Sequence, residues 1–215
     1  FTYDLSAKPD SRDFTFTFSR GLGFGSELHL AQNNGRTSTQ LYADPYNYIS
    51  FARFSPDGKT IAYAHGKSPE ANDNVYSDVS LADIETGNIK SIANTGAGET
   101  SPNFSPDGKL IAYYCSTDPV DWSGARYAKV YSLEDGKSWR LKATPDENGG
   151  IVGWTPDGKN VLWSESNRTL SSVYLLSVDG KSINEWNKGS SDMLGAFSIN
   201  STGTHVTFIL QNPSK

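Results

Sequence analysis

FSPDGKTIAY, residues Phe54 to Tyr63, returns as FSPDGKLIAY at Phe104 to Tyr113 and as WTPDGKNVLW at Trp154 to Trp163, each copy 50 residues after the last. A pattern held at one interval marks a repeated supersecondary unit, and its own residues say which unit. Pro fixes φ for the first turn position, Asp suits the second, and Gly takes the left-handed position before the return strand. Pro56, Asp57 and Gly58 therefore read as turn residues and not as catalysts. After the turn, Thr60, Ile61, Ala62 and Tyr63 alternate large and small apolar residues, as a strand covered on both faces requires.

Two weaker copies flank these three. Lys8 to Phe16 (KPDSRDFTF) sets Pro9 on Pro56, and Ile199 to Phe208 (INSTGTHVTF) sets Gly203 on Gly58. Downstream of the first four copies lies a second hairpin signal: Leu28 to Leu41 turning at Asn33-Asn34-Gly35, Val79 to Ile92 at Thr86-Gly87-Asn88, Val130 to Leu141 at Glu134-Asp135-Gly136, and Val173 to Trp186 at Asp179-Gly180. Each unit is thus four antiparallel strands in two hairpins, the form of a propeller blade.

The sequence predicts an all-β chain, a β-propeller of four-stranded antiparallel blades, and a partial one of about four and a half blades. The whole of 1–215 reads as one propeller segment, with blades near 1–48, 49–98, 99–149 and 150–194 and the first hairpin of a fifth at 195–215. Eighteen strands do not divide into whole blades. An open propeller end exposes unpaired edge, so the expectation is a chain cut from a longer polypeptide.

Composition narrows the classes of function. The formal net charge is −5 and the Lys and Arg residues stand singly, which leaves no footprint for a nucleic acid or an anionic membrane. No apolar run has the length of a membrane span. Cys115, the only cysteine, allows no intrachain disulfide and no thiolate metal cluster, and reads as a small buried strand residue. Asn103, Asn167 and Asn200 head glycosylation-type triplets, a pattern common by chance.

Catalytic signatures are missing: the sequence has no G-x-S-x-G, no H-E-x-x-H and no P-loop. Gly21, Gly23 and Gly25 imitate a phosphate loop but lead into a predicted strand, without the helix N-terminus that phosphate needs. His29, His65 and His205 fall on predicted strands of different blades with no metal-ligand spacing. No catalytic residue, metal ligand or cofactor is expected within this chain.

Hairpin turns are short, whereas the connections between hairpins vary in length, and in a four-stranded blade those connections emerge at one end with the inter-blade links. That loop face carries Asp118, Asp121, Trp122 and Arg126 in one loop and Asp146, Glu147 and Asn148 in another. A Trp beside charged groups suits contact with a partner or ligand. The alternative is a Trp covering a blade edge among solvated acids.

The FSPDGK copies resemble the TolB-like propellers. Glu99-Thr100-Ser101-Pro102, the loop from Asp118-Pro119 to Trp122, Gly149-Gly150-Ile151 and Gly195-Ala196-Phe197-Ser198 narrow the likeness to the prolyl oligopeptidase family, in its acylaminoacyl-peptidase-like and dipeptidyl-peptidase-like branch. The resemblance implies a non-catalytic cap that admits peptide substrates, joined to a C-terminal α/β-hydrolase domain that supplies Ser, Asp and His and is not in this chain. The competing reading is a binding module, either a TolB-like or a glycan-binding propeller.

Overall fold

The computed structural model describes residues 2–3, 14–20, 26–32, 38–44, 48–68, 70–121, 124–167, 170–188, 193–200 and 203–211; before residue 48 it describes the backbone path alone. Cα packing divides the chain into two compact units, Phe1–Thr100 and Ser101–Lys215.

The first unit holds β1 (Thr2–Tyr3), β2 (Phe14–Arg20), β3 (Ser26–Gln32) and β4 (Ser38–Asp44) in one sheet. A second sheet contains β5 (Tyr48–Phe54), β6 (Thr60–Gly66), β7 (Asp78–Asp83) and β8 (Ile89–Ala93). One helical turn, α1 (Ala71–Asn74), lies in the long connection from β6 to β7. The division falls inside β9 (Glu99–Phe104), which opens the sheet completed by β10 (Leu110–Ser116), β11 (Arg126–Ser132) and β12 (Ser138–Arg140). The second unit continues with β13 (Gly149–Trp154), β14 (Asn160–Asn167), β15 (Leu170–Ser177) and β16 (Ile183–Glu185), then the hairpin of β17 (Met193–Ile199) and β18 (Val206–Gln211). Every sheet runs in sequence order, and every pairing described is antiparallel.

The repeated turn forms as its residues dictate. Gly58, Gly108, Gly158 and Gly203 have φ of 69°, 71°, 67° and 70°. The Ser55 hydroxyl donates to Asp57 Oδ1 (2.6 Å) and accepts the Thr60 backbone N–H (2.9 Å), so one side chain closes the turn and starts the return strand. Ser105 and Thr155 do the same with Asp107 and Asp157. In the decayed fifth copy Asn200 stands at this place, and its Oδ1 accepts the His205 N–H at 2.9 Å. These hydroxyl and backbone bonds hold the Asp57, Asp107 and Asp157 carboxyls below the usual range.

Strands after the turn are buried on both faces, as their apolar alternation requires: Ile61, Ala62, Tyr63 and Ala64 are all 0–1% exposed. Two cores result. Ile49, Ala52, Ile61, Tyr63 and Ala82 pack in the first unit. In the second, Ala112, Ala128, Val130, Leu141, Trp154, Val161, Trp163, Tyr174 and Leu176 join the β9–β12 sheet to the β13–β16 sheet.

One recurring feature has no sequence signal. Phe51, Ser101 and Ala196 all adopt positive φ (52°, 54° and 49°), and each lies three residues before the head of its repeat copy. Pairing slips at this place between Ser50 and Arg53 and between Gly195 and Ser198, so the first strand of the blade carries a bulge. A left-handed non-glycine residue costs about 1 kcal/mol. Ala196→Gly is accordingly expected to raise the stability of the second unit by about 1 kcal/mol in urea denaturation.

Candidate functional site

Predicted loop-face residues of the second unit emerge from the ends of β10 and β11, where Ser116 pairs with Arg126 and Cys115 with Tyr127. Asp118 and Asp121 are exposed in the connection between these strands, and Trp122 lies outside the described residues. Arg126 is half-buried, its guanidinium 5.7 Å from the centroid of the Tyr114 ring. Behind it Tyr114 stacks on Trp163 of β14, with ring centroids 6.5 Å apart and planes 20° apart. Burial pushes the Tyr114 phenol up, and the Arg126 charge offsets part of that.

The link from β12 to β13 closes over the same end. The Arg126 backbone N–H donates to Glu147 O at 2.5 Å, and Glu147 takes a positive φ of 46°. Its carboxylate pairs with Arg140, whose guanidinium lies 4.0 Å from the Tyr127 ring centroid. Loop and link, separate candidates in the sequence, thus meet at Arg126 and Glu147, whereas Asp146 and Asn148 are exposed.

Beneath them is a buried carboxyl group that sequence reasoning missed. Glu165 is 3% exposed and accepts hydrogen bonds from Trp163 Nε1 (3.1 Å), the Thr144 hydroxyl and the Asp146 backbone N–H (3.3 Å). Its signal was an acidic residue following an apolar strand run, with a Thr in the link before it.

The first unit contains a counterpart. Glu99 is fully buried and takes a hydrogen bond from the Thr95 hydroxyl, while its backbone N–H and carbonyl both bond Ser77, at 2.6 Å to Ser77 O and 2.9 Å from Ser77 Oγ. Pairing shows how the two carboxyls relate. Position 49 faces 65 and position 149 faces 165, so the repeat interval sets Glu99 at the place of Gly149 and Cys115 at the place of Glu165. The β9–β12 and β13–β16 blades thus have one such carboxyl each, carried by the first strand in one case and by the second strand in the other. Both fasten the incoming link through a Thr, whereas the β5–β8 blade has Ile49 and His65 at these places.

Asp78 stands beside Glu99, with its carboxyl raised from 3.8 to about 6 by burial first and then by the Glu99 charge. A carboxyl raised in the folded state favours folding below its unfolded pKa and loses that contribution as pH rises through the folded one. Replacing Asp78 by Asn is therefore expected to leave stability unchanged at pH 4 and to raise it by about 1 kcal/mol at pH 7, the full difference of about 3 kcal/mol being screened at a half-exposed group. Urea melts of the two proteins from pH 4 to pH 7.5 check this; parallel curves overturn it.

His65 is the cross-strand partner of Asp78, and its Nε2 lies 2.9 Å from Ser80 Oγ. The trio has the residue types of a hydrolytic triad. Ser80 is 2% exposed, however, so its oxygen is closed to any substrate. His205, expected on a strand, sits in the turn just before β18 with its Nδ1 2.9 Å from Thr204 Oγ1. The backbone of His29 lies on β3, and the glycine string at 21–25 lies outside the described residues. Among the described residues, no group of three or more His, Cys, Asp and Glu side chains is placed to hold a metal ion.

TolB from Acinetobacter baumannii superposes with a TM-score of 0.64 at 21% identity, over 88% of this chain and 44% of that one. The fold is a β-propeller of the TolB and prolyl-oligopeptidase type. A prolyl endopeptidase matches at a TM-score of 0.63 and 18% identity, over 88% of this chain and 30% of that one. Dipeptidyl-peptidase 5 of Porphyromonas gingivalis is 27% identical over 151 residues, 69% of this chain and 22% of its own length. No protein-family model matches the chain. This propeller segment spans about a fifth of the curated relative and less than half of the TolB chain.

Proposed function

We propose that this chain is the substrate-gating, non-catalytic propeller portion of a serine peptidase that cleaves peptides, with catalysis carried by an α/β-hydrolase domain outside it. The observation that carries this reading is the 27% identity with dipeptidyl-peptidase 5 over 151 residues. The closed Ser80 hydroxyl agrees with it, as do the exposed Asp118 and Asp121 in the same strand connection as half-buried Arg126. On this reading Asp118, Asp121, Trp122 and Arg126 meet the peptide at the loop face, and the aromatic stack behind Arg126 holds that face in shape. The second reading is a TolB-like or glycan-binding propeller that serves as an interaction module for a protein or ligand, and the likeness to TolB bears on its fold alone.

Labelling of the full-length gene product with a fluorophosphonate probe separates the two. A labelled serine in a domain outside this segment is expected for the peptidase, and an unlabelled product that binds a partner overturns it. Within a labelled enzyme, Arg126→Ala is expected to change kcat/KM for long peptides by about fivefold while a short chromogenic substrate changes by less than about twofold. Equal changes on both substrates would remove the gating role.

A further inference from the structure

Where β11 begins and β12 ends, the β9–β12 sheet carries a pair of arginine–tyrosine contacts that differ in one respect. Arg140 lies 4.0 Å from the Tyr127 ring centroid, and its charge is met by the Glu147 carboxylate. Arg126 lies 5.7 Å from the Tyr114 ring centroid, on the stack that Tyr114 makes with Trp163. The two contacts are on opposite faces of the sheet, because Arg126 and Tyr127 are neighbours along β11. Glu147 therefore gives Arg126 only its backbone carbonyl, which accepts the Arg126 N–H, while its carboxylate is taken by Arg140. Among the described residues no carboxylate pairs with the Arg126 guanidinium, and the Tyr114 hydroxyl makes no hydrogen bond. Both side chains are only half-buried, so a ligand can reach them.

Given that this loop face contacts the peptide, the reading on which the assignment rests, we propose that Arg126 and Tyr114 form a carboxylate-binding subsite. Its ligand is a carboxylate of the bound peptide, from an acidic side chain or a free C-terminus. A guanidinium offers its N–H donors in a planar fork that matches a carboxylate, and such charge-assisted bonds gain strength where aromatic rings keep water from one side. Burial keeps the Tyr114 phenol protonated, so the ring that the guanidinium touches supplies an O–H donor as well. Trp163, 1% exposed, backs that ring. The site has one cation, its strand connection carries the exposed Asp118 and Asp121, and the chain's net charge is −5, which suits a singly charged carboxylate better than a phosphate dianion. Arg140, Tyr127 and Glu147 show the filled form of the same arrangement, and the peptide takes the part of Glu147 at Arg126.

The test is equilibrium binding to the full-length gene product after fluorophosphonate treatment, which silences any reactive serine so that peptides stay whole. Peptides of one sequence bearing an uncharged fluorophore are compared in about 0.15 M salt. One has an internal Glu and an amidated C-terminus, another has Gln there and a free C-terminus, and the neutral one has Gln and the amide. At least one carboxylate-bearing peptide is expected to bind about fivefold tighter than the neutral peptide or better, and the one that does names the source of the carboxylate. Arg126→Gln is expected to bring all the peptides level. Arg126→Lys, which keeps the charge and loses the fork, is expected to retain less than about half of the preference, and Tyr114→Phe to lower it about twofold. The assignment is overturned if the wild-type protein binds the neutral peptide as tightly as both others, a comparison that needs no variant, or if folded Arg126→Gln keeps the preference. Serine labelling is read separately. A labelled product with no preference loses the subsite and keeps the peptidase, whereas an unlabelled product with the preference keeps the subsite and loses the peptidase.

Discussion

Replacing Glu165 by Leu is expected to destabilise the second unit by about 3 kcal/mol, and replacing it by Gln by only about 1 kcal/mol. The asymmetry follows from what the carboxyl group does. It accepts the Trp163 indole N–H at 3.1 Å, the Thr144 hydroxyl and the Asp146 N–H, and Trp163 and Thr144 are both buried. Leu fills much of the volume but leaves two buried donors without an acceptor, at a cost of roughly 1–3 kcal/mol each. Gln retains one carbonyl acceptor. The link carrying Thr144 and Glu147 is held by the same group, so Leu is also expected to raise hydrogen exchange across 142–148 before global unfolding. Equal losses for Leu and Gln would show that packing alone matters here.

Gly149→Val is expected to cost about 3 kcal/mol or more, enough to deplete the soluble protein. A Cβ at this position would lie 2.3 Å from Ser164 O, 2.4 Å from Trp163 Nε1 and 2.7 Å from Glu165 Cβ. The first of these is backbone, which cannot swing aside, and the other two belong to a tryptophan in the core and its hydrogen-bonded glutamate. The double variant Gly149→Glu with Glu165→Cys tests the exchange of places seen in the neighbouring blade, where Glu99 and Cys115 hold those two positions. Recovery of at least about 1 kcal/mol relative to Gly149→Glu alone is expected, since residues in direct contact couple by roughly 0.5–3 kcal/mol. No recovery would mean that the two blades are not interchangeable at this site.

Much of the architecture was legible because it rests on local chemistry written several times over. A Ser or Thr, then Pro, Asp and Gly, makes its turn from neighbours within five residues, so the hairpins at Ser55, Ser105 and Thr155 could be read without knowing what they pack against. Alternation of large and small apolar residues, as in Ile61-Ala62-Tyr63-Ala64, likewise declared a strand covered on both faces. The loop-face candidates were visible only as a list of polar residues.

Their grouping was decided by the tertiary structure. The contact of Arg126 with Glu147 spans 21 positions, and Tyr114 meets Trp163 across 49, distances over which sequence carries no pairing rule. The positive φ of Phe51, Ser101 and Ala196 was equally hidden, because the left-handed conformation there is imposed by the surrounding sheet on residues with no intrinsic taste for it. So were Glu99 and Glu165, whose burial depends on a threonine reaching across from the preceding link. The sequence by itself determined the repeat, its turns and its strands, since those depend on residues a few positions apart. Which polar groups are buried, and which loops touch, depends on contacts that exist only once the blades have packed.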